Sequence, residues 1–181
     1  MLQHGVNLFL YGLLVVFLGG CWGGNYLLLP TEPLGGGLNS LAREESPQLS
    51  YDGRYLVFVS DRPGYRAIFL FDVAQRQLLP LPGLNRPGMV QDQPSISGDG
   101  RYIAFRSEAR GKSDIVVYDR LTRQQEIITA TWQGEVQCPA ISGDGRFVTF
   151  QSDRSGQWNI EIYDRGVRSP LPVAPNRQTF N

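Results

Sequence analysis

The sequence predicts an all-β protein: three four-stranded antiparallel units, preceded by a hydrophobic N-terminal leader. Three observations carry this expectation. Apolar residues alternate with period two along most of the chain after residue 46, which is the strand period and not the helical one. The 21 glycines and 12 prolines exceed the roughly 12% share of an average chain, and so supply turns for many short strands. One segment pattern then recurs three times in register.

The leader comes first. No Asp, Glu, Lys or Arg precedes Glu32. Val6–Leu18 is an apolar run of the length of a secretory h-region, short of the about 20 residues a bilayer span needs. It is followed by Leu18-Gly19-Gly20-Cys21, which resembles the lipobox of bacterial lipoproteins. That resemblance implies a signal peptide over residues 1–20 and lipidation at Cys21, an anchor to which each buried methylene contributes about 0.8 kcal/mol. The missing Lys or Arg near the start, and the return of apolar residues at Tyr26–Leu29, leave an uncleaved anchor over Val6–Pro30 or ordinary cleavage as other readings. All three place the rest of the chain outside the cytoplasm. Residues 21–45 are rich in Gly and Pro and read as a tether, with Leu38–Ala42 a short strand at its end.

The three repeats occupy residues 46–173, about 46–90, 91–136 and 137–173, and leave a tail at 174–181. Their aligned segments start at Ser46, Gln93 and Cys138, and the prolines that follow, Pro47, Pro94 and Pro139, are spaced by 47 and 45 residues. Each then has an Asp-Gly turn: Asp52-Gly53, Asp99-Gly100 and Asp144-Gly145. Asp-Gly is a strong hairpin signal, because glycine reaches positive φ without steric cost. An alternating strand follows, with Leu56/Phe58, Ile103/Phe105 and Val148/Phe150 on one face and Tyr55, Tyr102 and Phe147 on the other. A second turn centres on Gly64, Gly111 and Gly156. A third strand carries Ile68/Leu70, Ile115/Val117 and Ile160/Ile162, and closes at Asp72, Asp119 and Asp164. Fourth strands are expected at Gln77–Leu81, Gln125–Thr129 and Val167–Val173. A four-stranded repeat of 40 to 50 residues is the blade of a β-propeller, and it needs neighbours because one blade cannot bury both faces.

The pattern P-x-[IL]-S-x-D-G-R-x-[ILV]-x-F-x-S-[DE]-x-x-G followed by I-x-[VIL]-[FY]-D resembles the TolB-type propeller repeat. The expected fold is therefore a partial β-propeller of three blades. The family typically has six, so either two chains pair, or the molecule is an open three-bladed wedge, or its tails improvise a closure. The resemblance also implies a periplasmic, membrane-anchored place in the bacterial cell envelope and a protein partner bound by the rim loops, as in Tol–Pal-like systems. Self-association to complete a propeller is the other partner expected.

The chemistry is read by elimination. The 17 basic and 17 acidic residues cancel, which disfavours a nucleic-acid binder that works by displacing cations. The one histidine, His4, lies in the leader, so a Ser-His-Asp triad is excluded from the mature chain. Each Asp-Gly turn offers one carboxylate, too few for a Ca²⁺ loop, and no metal or cofactor is expected. Arg54, Arg101 and Arg146 solvate a strand edge or pair with a neighbouring blade. Asp61-Arg62, Asp153-Arg154 and, in the middle repeat, Glu108 and Arg110 read as inter-strand ion pairs. Asp72, Asp119 and Asp164 are expected to bind the backbone of the next turn. Cys138 reads as a small buried thiol. Trp132 and Trp158 lie outside the repeat pattern and are either partner contacts or inter-blade packing. The expected function is non-catalytic binding or scaffolding. The alternatives are a carboxylate-dependent hydrolase or lyase acting on glycans, and a truncated relic that cannot close.

Overall fold

A computed structural model describes residues 36–166, and these form eleven strands and no helix. The first sheet contains β1 (Glu44–Leu49), β2 (Tyr55–Ser60), β3 (Ala67–Asp72) and β4 (Gln77–Leu79), in that spatial order. The second repeats it with β5 (Gln91–Ile96), β6 (Tyr102–Ser107), β7 (Asp114–Asp119) and β8 (Gln124–Ile127). The third has β9 (Val136–Ile141), β10 (Phe147–Ser152) and β11 (Asn159–Asp164). Every described pairing is antiparallel. The strand expected at Val167–Val173, the leader at 1–20, Cys21 and the tail lie outside the described residues.

Four local expectations are corrected. Leu38–Ala42 is not a strand: it makes a single isolated bridge at Asn39, and the Arg62 guanidinium takes the Leu38 carbonyl (2.8 Å) together with that of Gly37 (2.9 Å). β1 instead begins at Glu44, inside the stretch read as tether. β4 stops at Leu79, because Pro80 has no N–H for the ladder. β8 stops at Ile127, and Thr129 turns inward to accept from the Ile115 amide (2.9 Å) and donate to Asp114 Oδ1 (3.0 Å).

The innermost strands β1, β5 and β9 share a bulge at the residue before the repeat proline. Ser46 (φ 51), Gln93 (φ 50) and Cys138 (φ 53) all lie in the left-handed region. The next residue cannot donate to the ladder, and the bulge absorbs the mismatch. Cys138 is consequently exposed, not buried, with its amide donating to Gln93 Oε1 at 2.7 Å.

The core is two inter-blade layers. Val57, Val59, Ile68 and Leu70 of the first blade pack against Ile103, Phe105, Val116 and Tyr118 of the second. The opposite face of the second blade, Tyr102, Ala104, Ile115 and Val117, packs against Val148 and Phe150 of the third. Period two in β6 and β7 therefore serves both neighbours, and each large apolar side chain so buried contributes about 1.5–3 kcal/mol.

Candidate functional site

The repeated Ser-x-Asp-Gly-Arg turns look like a row of presented carboxylates, but their atoms are committed to folding. Asp52 Oδ1 accepts from Ser50 Oγ (2.6 Å) and the Arg54 amide (3.0 Å), and Ser50 Oγ accepts from the Tyr55 amide (2.9 Å). The same relay recurs at Asp99 with Ser97, and at Asp144 with Ser142. The serine hydroxyl beside Asp52 and that beside Asp144, then the following backbone amides, hold these carboxyls below the ordinary carboxylate range. The serine recurs in the sequence at Ser50, Ser97 and Ser142, but only the folded turn brings its hydroxyl between the aspartate and the backbone amide.

The arginine of each turn pairs within its own blade and not with a neighbour. Arg54 reaches Asp72 (3.4 Å), Arg101 reaches Asp119 (2.8 Å), and Arg146 grips Asp164 in a bidentate pair (2.8 and 2.7 Å). The aspartates also accept from the next turn as expected: Asp72 from the Gln75 amide, Asp119 from Leu121 and Asp164 from Gly166. Arg146, then the Gly166 amide, lowers the Asp164 carboxyl to about 2. Burial alone would raise Asp119, but Arg101 and the Leu121 amide outweigh it and hold it low.

A second device joins the blades. The Tyr55 ring lies between the guanidiniums of Arg54 (4.9 Å) and Arg120 (4.5 Å), and the Tyr102 ring between those of Arg101 (4.7 Å) and Arg165 (4.5 Å). Arg120 and Arg165 each donate to the carbonyl of their own blade's turn glycine, Gly100 and Gly145, at 2.6 Å. Those glycines press so closely on the tyrosines that a Cβ at Gly100 would overlap Tyr55 and one at Gly145 would overlap Tyr102. Sequence reasoning missed both arginines, because Val73 breaks the repeat in the first blade.

The third blade holds half of this clasp. Arg146 lies 4.6 Å from the Phe147 ring centre, and among the described residues no turn glycine or second arginine meets the other side. The same face carries Ile160 (67% exposed) and Ile162 (70% exposed), whose counterparts Ile115 and Val117 are buried. At the other end, the turn of Gly53 has nothing within 4 Å of its Cβ position.

The tryptophans separate. Trp132, partly buried, packs into the second inter-blade layer, edge-on to Phe150 at 5.1 Å with Arg154 over its ring at 4.2 Å. Trp158 is half exposed, near the open face of blade three. At the opposite rim a polar chain ties the blades together. Arg66 joins Glu45 (2.6 Å) to Asp92 (3.6 Å), Arg106 joins Asp92 (3.3 Å) to Ser113 (2.9 Å), and Ser113 donates to Glu135 (2.6 Å). The expected Asp-Arg pairs of the second turn do not form: Arg62 turns to Glu44 and Arg154 to Glu161, each at 3.0 Å, while Asp153 accepts from the Glu135 amide. Among the described residues no group of three or more His, Cys, Asp or Glu could hold a metal.

Two apolar layers, a turn-to-tyrosine clasp at each blade junction, and one open sheet face describe a segment of a propeller ring. The described residues have a TolB-like β-propeller fold. The TolB crystal structure from Acinetobacter baumannii superposes with a TM-score of 0.61 at 28% identity, over 71% of this chain and 31% of that one. A TolB structure from Agrobacterium tumefaciens gives 0.58 at 22% identity, over 71% and 45%. A puromycin-hydrolysing peptidase from Mycobacterium tuberculosis gives 0.51 at 18%, over 72% and 20%, a likeness of fold alone. The chain thus spans about a third of the Acinetobacter TolB. No protein-family model and no curated protein matches it.

Proposed function

We propose that this chain is a non-catalytic binding and scaffolding module of the bacterial cell envelope, held to a membrane through Cys21. The likeness to TolB supports an envelope role. The observation that carries the binding role is the open face of the third blade, where Phe147, Ile160 and Ile162 present to solvent what the other blades bury. An apolar face with half a clasp calls for another blade of the same type. A second copy of this chain supplies one: its Gly53 turn is unobstructed and can receive the Phe147 ring as Gly145 receives Tyr102. The turn aspartates and strand-closing aspartates are already bound by serine, arginine and backbone, which argues against a free carboxylate pair for glycan cleavage.

Sedimentation of the full chain in mild detergent tests this. The expected result is self-association at micromolar concentration that Ile162→Asp abolishes without lowering the melting temperature. A wild-type monomer, association indifferent to Ile162→Asp, or glycan cleavage lost on a single Asp or Glu change would overturn the proposal.

A further inference from the structure

On the second blade, beside the segment that leads into it, lies a cavity of about 320 Å³ lined by Gln91, Ser107, Ala109, Asp114 and Val116, with Arg86 and Arg110 also in its wall. That volume is at the lower end of ordinary ligand pockets, about 300–1,000 Å³. Two oxygens in this wall, Gln91 Oε1 and Asp114 Oδ2, are buried and have no hydrogen-bond partner among the described residues. Arg110 Nε stands 3.7 Å from Asp114 Oδ2, an ion pair too long for a hydrogen bond. Orphaned buried acceptors are uncommon in folded proteins, because each keeps its full desolvation penalty.

The repeat explains the cavity. The second turn has the same backbone in every blade: the amides of Arg62, Ala109 and Arg154 donate to Ser60, Ser107 and Ser152 at 3.2, 3.3 and 3.2 Å. What differs is the side chain. In blade one Arg62 fills the space, donating from Nε to Ser60 Oγ (3.0 Å) and from Nη2 to Glu44 Oε1 (3.0 Å), with its guanidinium 4.7 Å from the Phe69 ring centre. In blade three Arg154 takes the place, paired with Glu161 and over Trp132. In blade two the arginine is Ala109, while the groups that would hold it remain. Ser107 stands for Ser60, Gln91 for Glu44 and Val116 for Phe69, and all of them line the cavity. Asp114, where the other blades have Ala67 and Asn159, brings one oxygen that Thr129 binds and a second, Oδ2, that no hydrogen bond uses among the described residues.

We propose that this cavity binds an arginine with a free carboxylate, supplied from outside the chain. The guanidinium donates to Gln91 Oε1 and Asp114 Oδ2 against Val116, as Arg62 donates to Glu44 in blade one. Neither oxygen faces solvent at present; turning them to the ligand rotates each planar group as a whole, and the ligand's hydrogen bonds then replace those of Gln91 Nε2 to the Leu84 carbonyl (2.8 Å) and of Thr129 to Asp114 Oδ1 (3.0 Å). A bare cation is disfavoured, because Lys112 Nζ (3.1 Å) and Arg110 already flank Asp114. The ligand's carboxylate, meeting Arg86 and Arg110, offsets that positive charge.

Calorimetric titration of the full chain in mild detergent with L-arginine tests the assignment, independently of the blade-three interface. L-Arginine should bind saturably, and agmatine and acetate, each carrying one half of the ligand, should bind at least about tenfold more weakly. Ala109→Arg, at an exposed position, should fill the cavity from within and abolish binding. Asp114→Asn should weaken it about tenfold or more, the loss expected for a hydrogen bond to a charged group. No saturable binding to wild-type protein with an intact melting transition overturns the proposal. So does binding that Ala109→Arg and Asp114→Asn both leave within twofold, or agmatine or acetate binding as tightly as L-arginine.

Discussion

Three turns of one Ser-x-Asp-Gly-Arg pattern should respond unequally to one substitution. Gly53, Gly100 and Gly145 share a left-handed backbone, with φ of 69, 72 and 74°. Replacing any of them by alanine places a Cβ in that conformation, at about 1–2 kcal/mol. At Gly53 the added methyl meets nothing within 4 Å, so the backbone strain is the whole cost. At Gly100 it overlaps the Tyr55 ring, and at Gly145 the Tyr102 ring, and both rings are pinned between two guanidiniums. Overpacking of that kind adds about 1–3 kcal/mol. Gly53→Ala should therefore lose about 1–2 kcal/mol, and Gly100→Ala and Gly145→Ala about 2–5 kcal/mol, in urea unfolding with a common m-value. Adding Tyr55→Ala should cost less in the Gly100→Ala background than in wild type, because it removes the overlap. Equal losses at all three glycines, or strict additivity with Tyr55→Ala within about 0.3–0.5 kcal/mol, would refute the turn-on-tyrosine contact and with it the blade stacking.

Other perturbations probe separate layers. Ser97→Ala leaves the buried Tyr102 amide and Asp99 without their shared partner and should cost about 1–3 kcal/mol by urea unfolding. Phe105→Ala, at a fully buried position between blades one and two, should cost about 3–5 kcal/mol, whereas Phe147→Ala on the open face should cost the monomer far less. The lowered carboxyls of Asp52, Asp72, Asp119, Asp144 and Asp164 stabilise the fold fully above their unfolded value of 3.8. That contribution disappears as pH falls toward the folded value of about 2 at Asp164. The melting temperature should therefore hold as pH is lowered toward 4 and drop below it, and a melting temperature unchanged between pH 4 and pH 2.5 would contradict this. Cys21→Ser should abolish labelling by radioactive palmitate and release the chain from membranes in fractionation; retained labelling would remove Cys21 as the lipid site.

The sequence by itself determined the strands, their faces and their repetition, because period two, Asp-Gly turns and alternating apolar residues are local properties of the chain. Tyr55, Tyr102 and Phe147 could be placed opposite Phe58, Phe105 and Phe150 without coordinates. Tertiary structure decided what those faces meet. Arg120 and Arg165 look like surface residues until the preceding blade's tyrosine arrives beneath them. Cys138 looks like a core thiol until the bulge before Pro139 exposes it, and Trp132 becomes packing once Phe150 and Arg154 close around it. The cavity beside Ala109 was invisible for the same reason. A missing side chain leaves no local pattern, and its consequence is legible only where Gln91, Ser107, Asp114 and Val116 converge from three different strands.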